Sequence, residues 1–243
     1  MDELSTSDIR EHVLIFGIDA YPPIEVSKTR THLNIFYEEA RSQKGELFDE
    51  LVTGESVFRI SKTFGQQIIN TFMLTPRGPV FTMPLQILPD GESLRDTESA
   101  LDSFQSLRSL FFSTVAPDRK IMRMGMVRKL FFGTGSEPSV GLITAHESFA
   151  NAGITGAESL TTFRDAKCNI RVTLEAGQMH KTVKTAIGPP QTEHAQYGLQ
   201  LQLDVNSSEI RPQSDADIAE VIARAAGLWP DMLLEFVNER RAS

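Results

Sequence analysis

The chain has 243 residues, with 24 Lys and Arg against 32 Asp and Glu for a formal charge of −8, and 40% hydrophobic and 8% aromatic residues. This is the composition of an acidic globular protein, long enough to bury a sizeable core in one domain or two, and its net charge argues against indiscriminate binding to nucleic acid or anionic membrane. Cys168 is the only cysteine, so an intramolecular disulfide and a thiolate metal cluster built from one chain are both excluded.

The opening MDELSTSDIREH is polar and acidic. It lacks the basic start and apolar core of a signal peptide, and no run approaches the roughly 20 apolar residues needed to cross a bilayer. A reducing, cytoplasmic setting is expected, with residues 1–10 as a flexible N-terminus.

In chain order, a strand is expected near 12–18. A helix follows, with Leu33, Phe36, Tyr37 and Ala40 on one stripe. Strands come next near 56–63 and 67–75, and then one in which Phe81, Met83, Leu85 and Ile87 alternate. Leu101, Phe104, Leu107 and Phe111 mark a second helix. Met122, Met124, Met126, Leu130 and Phe132 mark a further strand. A short helix near 146–151 precedes strands at Ile170–Leu174, near 179–187, and at Leu199–Val205. Ser214 is a plausible N-cap for a helix carrying Ile218, Val221, Ile222 and Ala225, with Asp215 and Asp217 in its first turn and Gly227 at its end. A last helix is expected from Pro230, with Met232, Leu233, Phe236 and Val237 on its buried side.

One-sided alternation is the pattern of antiparallel sheets. The expected fold is therefore α+β: antiparallel sheets with helices on one face. Residues 11–117 and 118–243 share the order strand, helix, three strands, helix, which suggests two pseudo-repeated units joined edge to edge. Pro117-Asp118 is the natural boundary. No Ser/Gly-rich linker separates the halves, which favours one compact body.

Signatures of chemistry are sparse. There is no G-x-S-x-G elbow, and Gly133-Thr134-Gly135-Ser136 lacks the rest of a phosphate loop. His12, His32, His146, His180 and His194 are scattered, and His146-Glu147 lacks the second histidine of a zinc helix. Glu38-Glu39 and Asp49-Glu50 are sequence neighbours in a charged stretch, which fits ion-paired surface helices better than acid–base work. Cys168 falls on the apolar face of its strand, where a thiol is normally inert. No catalytic residue, metal ligand or cofactor is expected, and binding is favoured over catalysis.

Two features stand out. Met122, Met124 and Met126 share one strand face, which reads either as adaptable core filler or as the lining of an apolar pocket. Residues 1–50 hold eleven acidic and five basic side chains, whereas the middle of the chain is basic. Alternation puts Arg123, Lys129 and Arg171 on wet strand faces, where they would form a positive patch if the strands are neighbours.

The segment Arg119-Lys120-Ile121-Met122-Arg123-Met124-Gly125-Met126-Val127-Arg128 resembles the R-x-G-x-R strand of a sporadically distributed, uncharacterised bacterial protein family of about this length. One extra residue separates Gly125 from Arg128. The resemblance assigns no activity to any residue.

The expected function is that of a non-catalytic protein-interaction or assembly subunit, with a protein partner or a second copy and no membrane. Its contact face would include Arg123, Lys129 and Arg171 on the sheet, with Trp229 and Phe236 near the C-terminus as aromatic anchors. Trp229 reads equally as a core plug. Two alternatives remain open: a binder of an apolar small molecule in the methionine-lined pocket, and a nucleic-acid binder using the basic sheet face.

Overall fold

The structure is a computed structural model and describes residues 4–43, 48–64, 67–87, 92–133, 157–164, 167–183 and 191–242. The strands are β1 (Ile9–Tyr21), β2 (Glu50–Thr53), β3 (Phe58–Phe64), β4 (Gln67–Thr75), β5 (Gly78–Ile87), β6 (Glu92–Ser93), β7 (Lys120–Gly133), β8 (Ala157–Arg164), β9 (Cys168–Val183) and β10 (Gln191–Ser207). The helices are α1 (Val26–Gln43), α2 (Thr97–Thr114), α3 (Asp215–Gly227) and α4 (Asp231–Ala242). The fold is α+β, built on one antiparallel sheet.

Nine strands run in the order β2-β3-β4-β5-β1-β7-β10-β9-β8, and the short β6 pairs with β5 beside that row. Each half begins with a central strand, and its later strands meander back from an outer edge to pair with it. The two central strands meet along a long seam in which Phe16 faces Met126 and Gly17 faces Gly125. The edge-to-edge joining expected from element order is thus seen as the β1–β7 pair.

Alternation decides which face is covered. On β1, His12, Leu14, Phe16, Ile18 and Ala20 are buried, and the residues between them are half-exposed. The helices pack on this buried face. Under α1 and α2 the core is a phenylalanine cluster: Phe16 stacks on Phe104 at 4.1 Å, and Phe72 touches Phe36, Phe81 and Phe111 at 4.9 to 5.3 Å. Such ring pairs stabilise beyond the area they bury. Under α3 and α4 the core is aliphatic, with Leu199, Leu201, Leu203 and Val205 of β10 opposite Ile218, Val221 and Ile222 of α3.

Helix starts follow the expected chemistry. Asp96 Oδ1 accepts from the Ser99 amide at 2.6 Å ahead of α2. At α3, Ser214 Oγ accepts from the Asp217 amide and Asp217 Oδ2 accepts from the Ser214 amide, a reciprocal capping box.

Several boundaries differ from the sequence reading. The first half contains β2, and the second contains β8, neither of which was expected. The strand expected near 179–187 is not separate: its described part continues the 170–174 strand as β9. The reason lies in the pairing. β10 faces β7 only over Gly198–Asn206 and β8 reaches β9 only as far as Ala176, so among the described residues 177–183 of β9 and 191–197 of β10 pair only with each other. The helix expected at 146–151 lies outside the described residues. Residues 4–8, expected as part of a flexible lead, contain a 3-10 turn (Thr6–Asp8). Leu4 before the turn is buried, and its backbone N–H and C=O both bond the Asn238 side chain of α4.

Candidate functional site

The buried face of β7 reads Met124, Met126, Arg128, Leu130, Phe132. Arg128 stands in an otherwise apolar row and is 1% exposed. Across the seam it faces Leu14, and on its other side it faces Leu203. Its Nη1 donates to His12 Nε2 at 2.6 Å, and its guanidinium carbon lies 5.2 Å from the centre of the Trp229 ring. The His12 and Trp229 rings are tilted 56° at 5.4 Å. Arginine has only donors, so this bond assigns His12 Nε2 as the acceptor and puts the neutral ring's proton on Nδ1.

Electrostatics agree with that assignment. Burial, and then the charge of Arg128, lower the His12 pKa to about 3, so the imidazole is neutral at pH 7. Burial lowers the Arg128 pKa to about 10, which leaves the guanidinium charged. A buried cation with no anionic partner is costly. A hydrogen bond and an aromatic face offset part of that cost. Neither Nε nor Nη2 of Arg128 has a hydrogen-bond partner among the described residues. Arg59, Arg95 and Arg108 each leave one buried nitrogen in that condition, and Arg128 leaves two.

Three elements build this cluster. β1 and β7 bring His12 and Arg128 to neighbouring rows, since His12 pairs with Leu130. The α3–α4 junction carries Trp229, whose amide donates to the Ala226 carbonyl. The bonds between Leu4 and Asn238 tie α4 to the start of the chain, just ahead of β1.

Other expected residues are placed differently. Arg123, Lys129 and Arg171 do share the opposite face of the sheet, but each has a polar or acidic neighbour there. Arg123 Nη2 donates to Asn206 Oδ1, directly opposite Gly125. Glu11 lies near Lys129, and burial raises its carboxyl pKa while the lysine charge opposes the rise. Asp204 pairs with Arg171. The basic residues therefore alternate with acids and amides. Met124 and Met126 are fully buried in the core and Met122 is half-buried.

Phe236 is half-buried and contributes to an apolar groove of about 220 Å³, lined by Phe163, Ile170, Val172, Leu203, Leu228, Met232, Leu233 and Phe236, with Arg224 at its side. Phe163 and Phe236 meet edge to face at 6.3 Å. Phe163 and Met232 remain 46% and 58% exposed. A second cleft, about 310 Å³, is polar, and its charges are paired within it: Lys167 with Glu220, and Arg211 with Glu209 and Asp217.

No group of three or more His, Cys, Asp or Glu that could hold a metal ion occurs among the described residues, and none of their helices is long and apolar enough to cross a membrane. No family model matches the chain, and no curated protein matches it.

Sequence reasoning names Trp229 as an interface anchor or a core plug and His12 as a lone histidine, but does not join them to Arg128, although a signal is present. Arg128 has the same parity as Met124, Met126 and Leu130, and His12 the same as Leu14 and Phe16. A charged or polar residue in step with an apolar face is the mark of a buried polar site.

Proposed function

We propose that this protein is a non-catalytic interaction or assembly subunit that docks a protein partner, or a second copy of itself, through the groove between β8 and α4. The observation that carries this reading is the apolar groove, bordered by the exposed side chains of Phe163 and Met232. Large apolar side chains left open together at a groove mark interaction surfaces more often than single exposed residues do. The groove adjoins β8, which pairs only with β9 among the described strands. An edge strand has unpaired backbone donors and acceptors that an added strand can use.

The nucleic-acid alternative draws less support, because Asn206, Asp204 and Glu11 interleave with Arg123, Arg171 and Lys129. The small-molecule alternative through the methionines draws little, since Met124 and Met126 are packed inside the core.

Light scattering coupled to size exclusion, on protein purified gently from its native source, tests the reading. A stoichiometric complex is expected, and Phe163→Asp or Met232→Asp should release it while circular dichroism stays unchanged. A strictly monomeric wild-type chain without a partner at every concentration would end this proposal, as would a complex indifferent to both substitutions.

A further inference from the structure

We propose that the buried edge of Arg128 is a receptor for the carboxylate of a small organic acid, held beneath Trp229 between the two halves of the sheet. The geometry of the guanidinium points to this. Nη1 is engaged by His12, and the two nitrogens left without partners are Nε and Nη2. On a guanidinium those two N–H bonds lie parallel on one edge, the edge that makes a two-bond fork with a planar carboxylate. The unpartnered edge has the geometry of a carboxylate fork but is closed off from solvent, so a ligand would reach it only by opening the packing beneath Trp229.

Its surroundings select the charge of the ligand. Leu14 and Leu203 flank Arg128 across the strands, and Met126 and Leu130 flank it along β7. All four are buried. One anionic charge neutralises the guanidinium in this apolar setting, whereas a phosphate dianion would leave an uncompensated negative charge there. The charge balance therefore favours a monocarboxylate. Trp229, which is half-exposed, is the part of the cluster that reaches solvent. His12 contributes by occupying Nη1 as a neutral acceptor, which fixes the plane of the fork.

Thermal unfolding of the full chain with sodium acetate, butyrate or benzoate, against sodium chloride and sodium phosphate at equal ionic strength, tests the proposal. A carboxylate should raise Tm in step with the logarithm of its concentration. Arg128→Met should abolish the rise. Arg128→Lys keeps the charge without the fork and should weaken the apparent affinity roughly tenfold. Should either variant fail to fold, the wild-type Arg128 Nε–H resonance in an isotope-labelled sample decides, because a bound carboxylate shifts it and chloride does not. No carboxylate-specific rise or shift would overturn the proposal, and so would a rise retained in Arg128→Met. A stronger response to phosphate than to any carboxylate would overturn the choice of ligand, and density for water alone at Nε and Nη2 in carboxylate-soaked crystals would overturn the site.

Discussion

Acid titration of His12 gives the sharpest test of the buried cluster. Folded, His12 resists protonation down to about pH 3; unfolded, it takes up a proton near its ordinary 6.5. Between those values the unfolded chain binds more protons, so this contribution to stability is fully present above pH 6.5 and is lost as the pH falls through the window. The slope is about 1.4 kcal/mol per pH unit for one proton, which gives a loss of about 3 kcal/mol between pH 6.5 and 4. His12 is only 6% exposed, so solvent screening does little to reduce that figure. Urea unfolding of wild type and His12→Gln at a series of pH values measures it. Glutamine keeps an acceptor for Arg128 Nη1 and has no proton to gain. Asp96 and Asp217, whose carboxyl pKa values are lowered by hydrogen bonds from Ser99 and from Arg211 respectively, add the same acid dependence to both proteins. Wild type should therefore lose about 3 kcal/mol more than the variant. Parallel stability curves over that range would refute the reasoning.

Two further outcomes follow from geometry. A Cβ at Gly198 would sit 2.2 Å from the Phe132 carbonyl oxygen and 2.4 Å from the Phe131 ring, so Gly198→Ala should destabilise by at least about 2 kcal/mol in chemical unfolding, with a loss under about 0.5 kcal/mol contradicting the packing. Ser214→Ala removes one arm of the α3 capping box and should cost about 1 kcal/mol, read as a lower urea midpoint at unchanged slope.

Much of this fold is legible in the sequence because burial on one face forces a period. Leu199, Leu201, Leu203 and Val205 mark their strand without help, and Leu33, Phe36, Tyr37 and Ala40 mark their helix. Where no face is imposed, the signal goes. β2 is exposed along its whole length and pairs only with β3 among the described strands, and it escapes a reading based on alternation. The outer ribbon of β9 and β10 is read only in part, as a strand near 179–187 without its continuity with 170–174 or the 191–197 start of β10. The buried cluster hid for a different reason. Hydropathy treats Arg128 as a surface residue, and only its position in step with Met126 and Leu130 contradicts that. His12 and Trp229 are remote from it in sequence, and nothing local announces that β1, β7 and the α3–α4 junction converge.

The position of β1 bears on how the molecule opens. It closes the first half by pairing with β5 and joins the second by pairing with β7, so its amides belong to both meanders at once. β2 and β8, at the two rims, are each bonded to a single neighbour among the described strands. Fraying at a rim releases one strand, whereas releasing β1 parts both halves and uncovers the phenylalanine cluster. Amide hydrogens along the seam, around Phe16 and Met126, should therefore exchange only through the global unfolding event, while those of β2 and β8 exchange through smaller openings. The expected behaviour is that of one cooperative unit hinged on a strand that pairs with both halves.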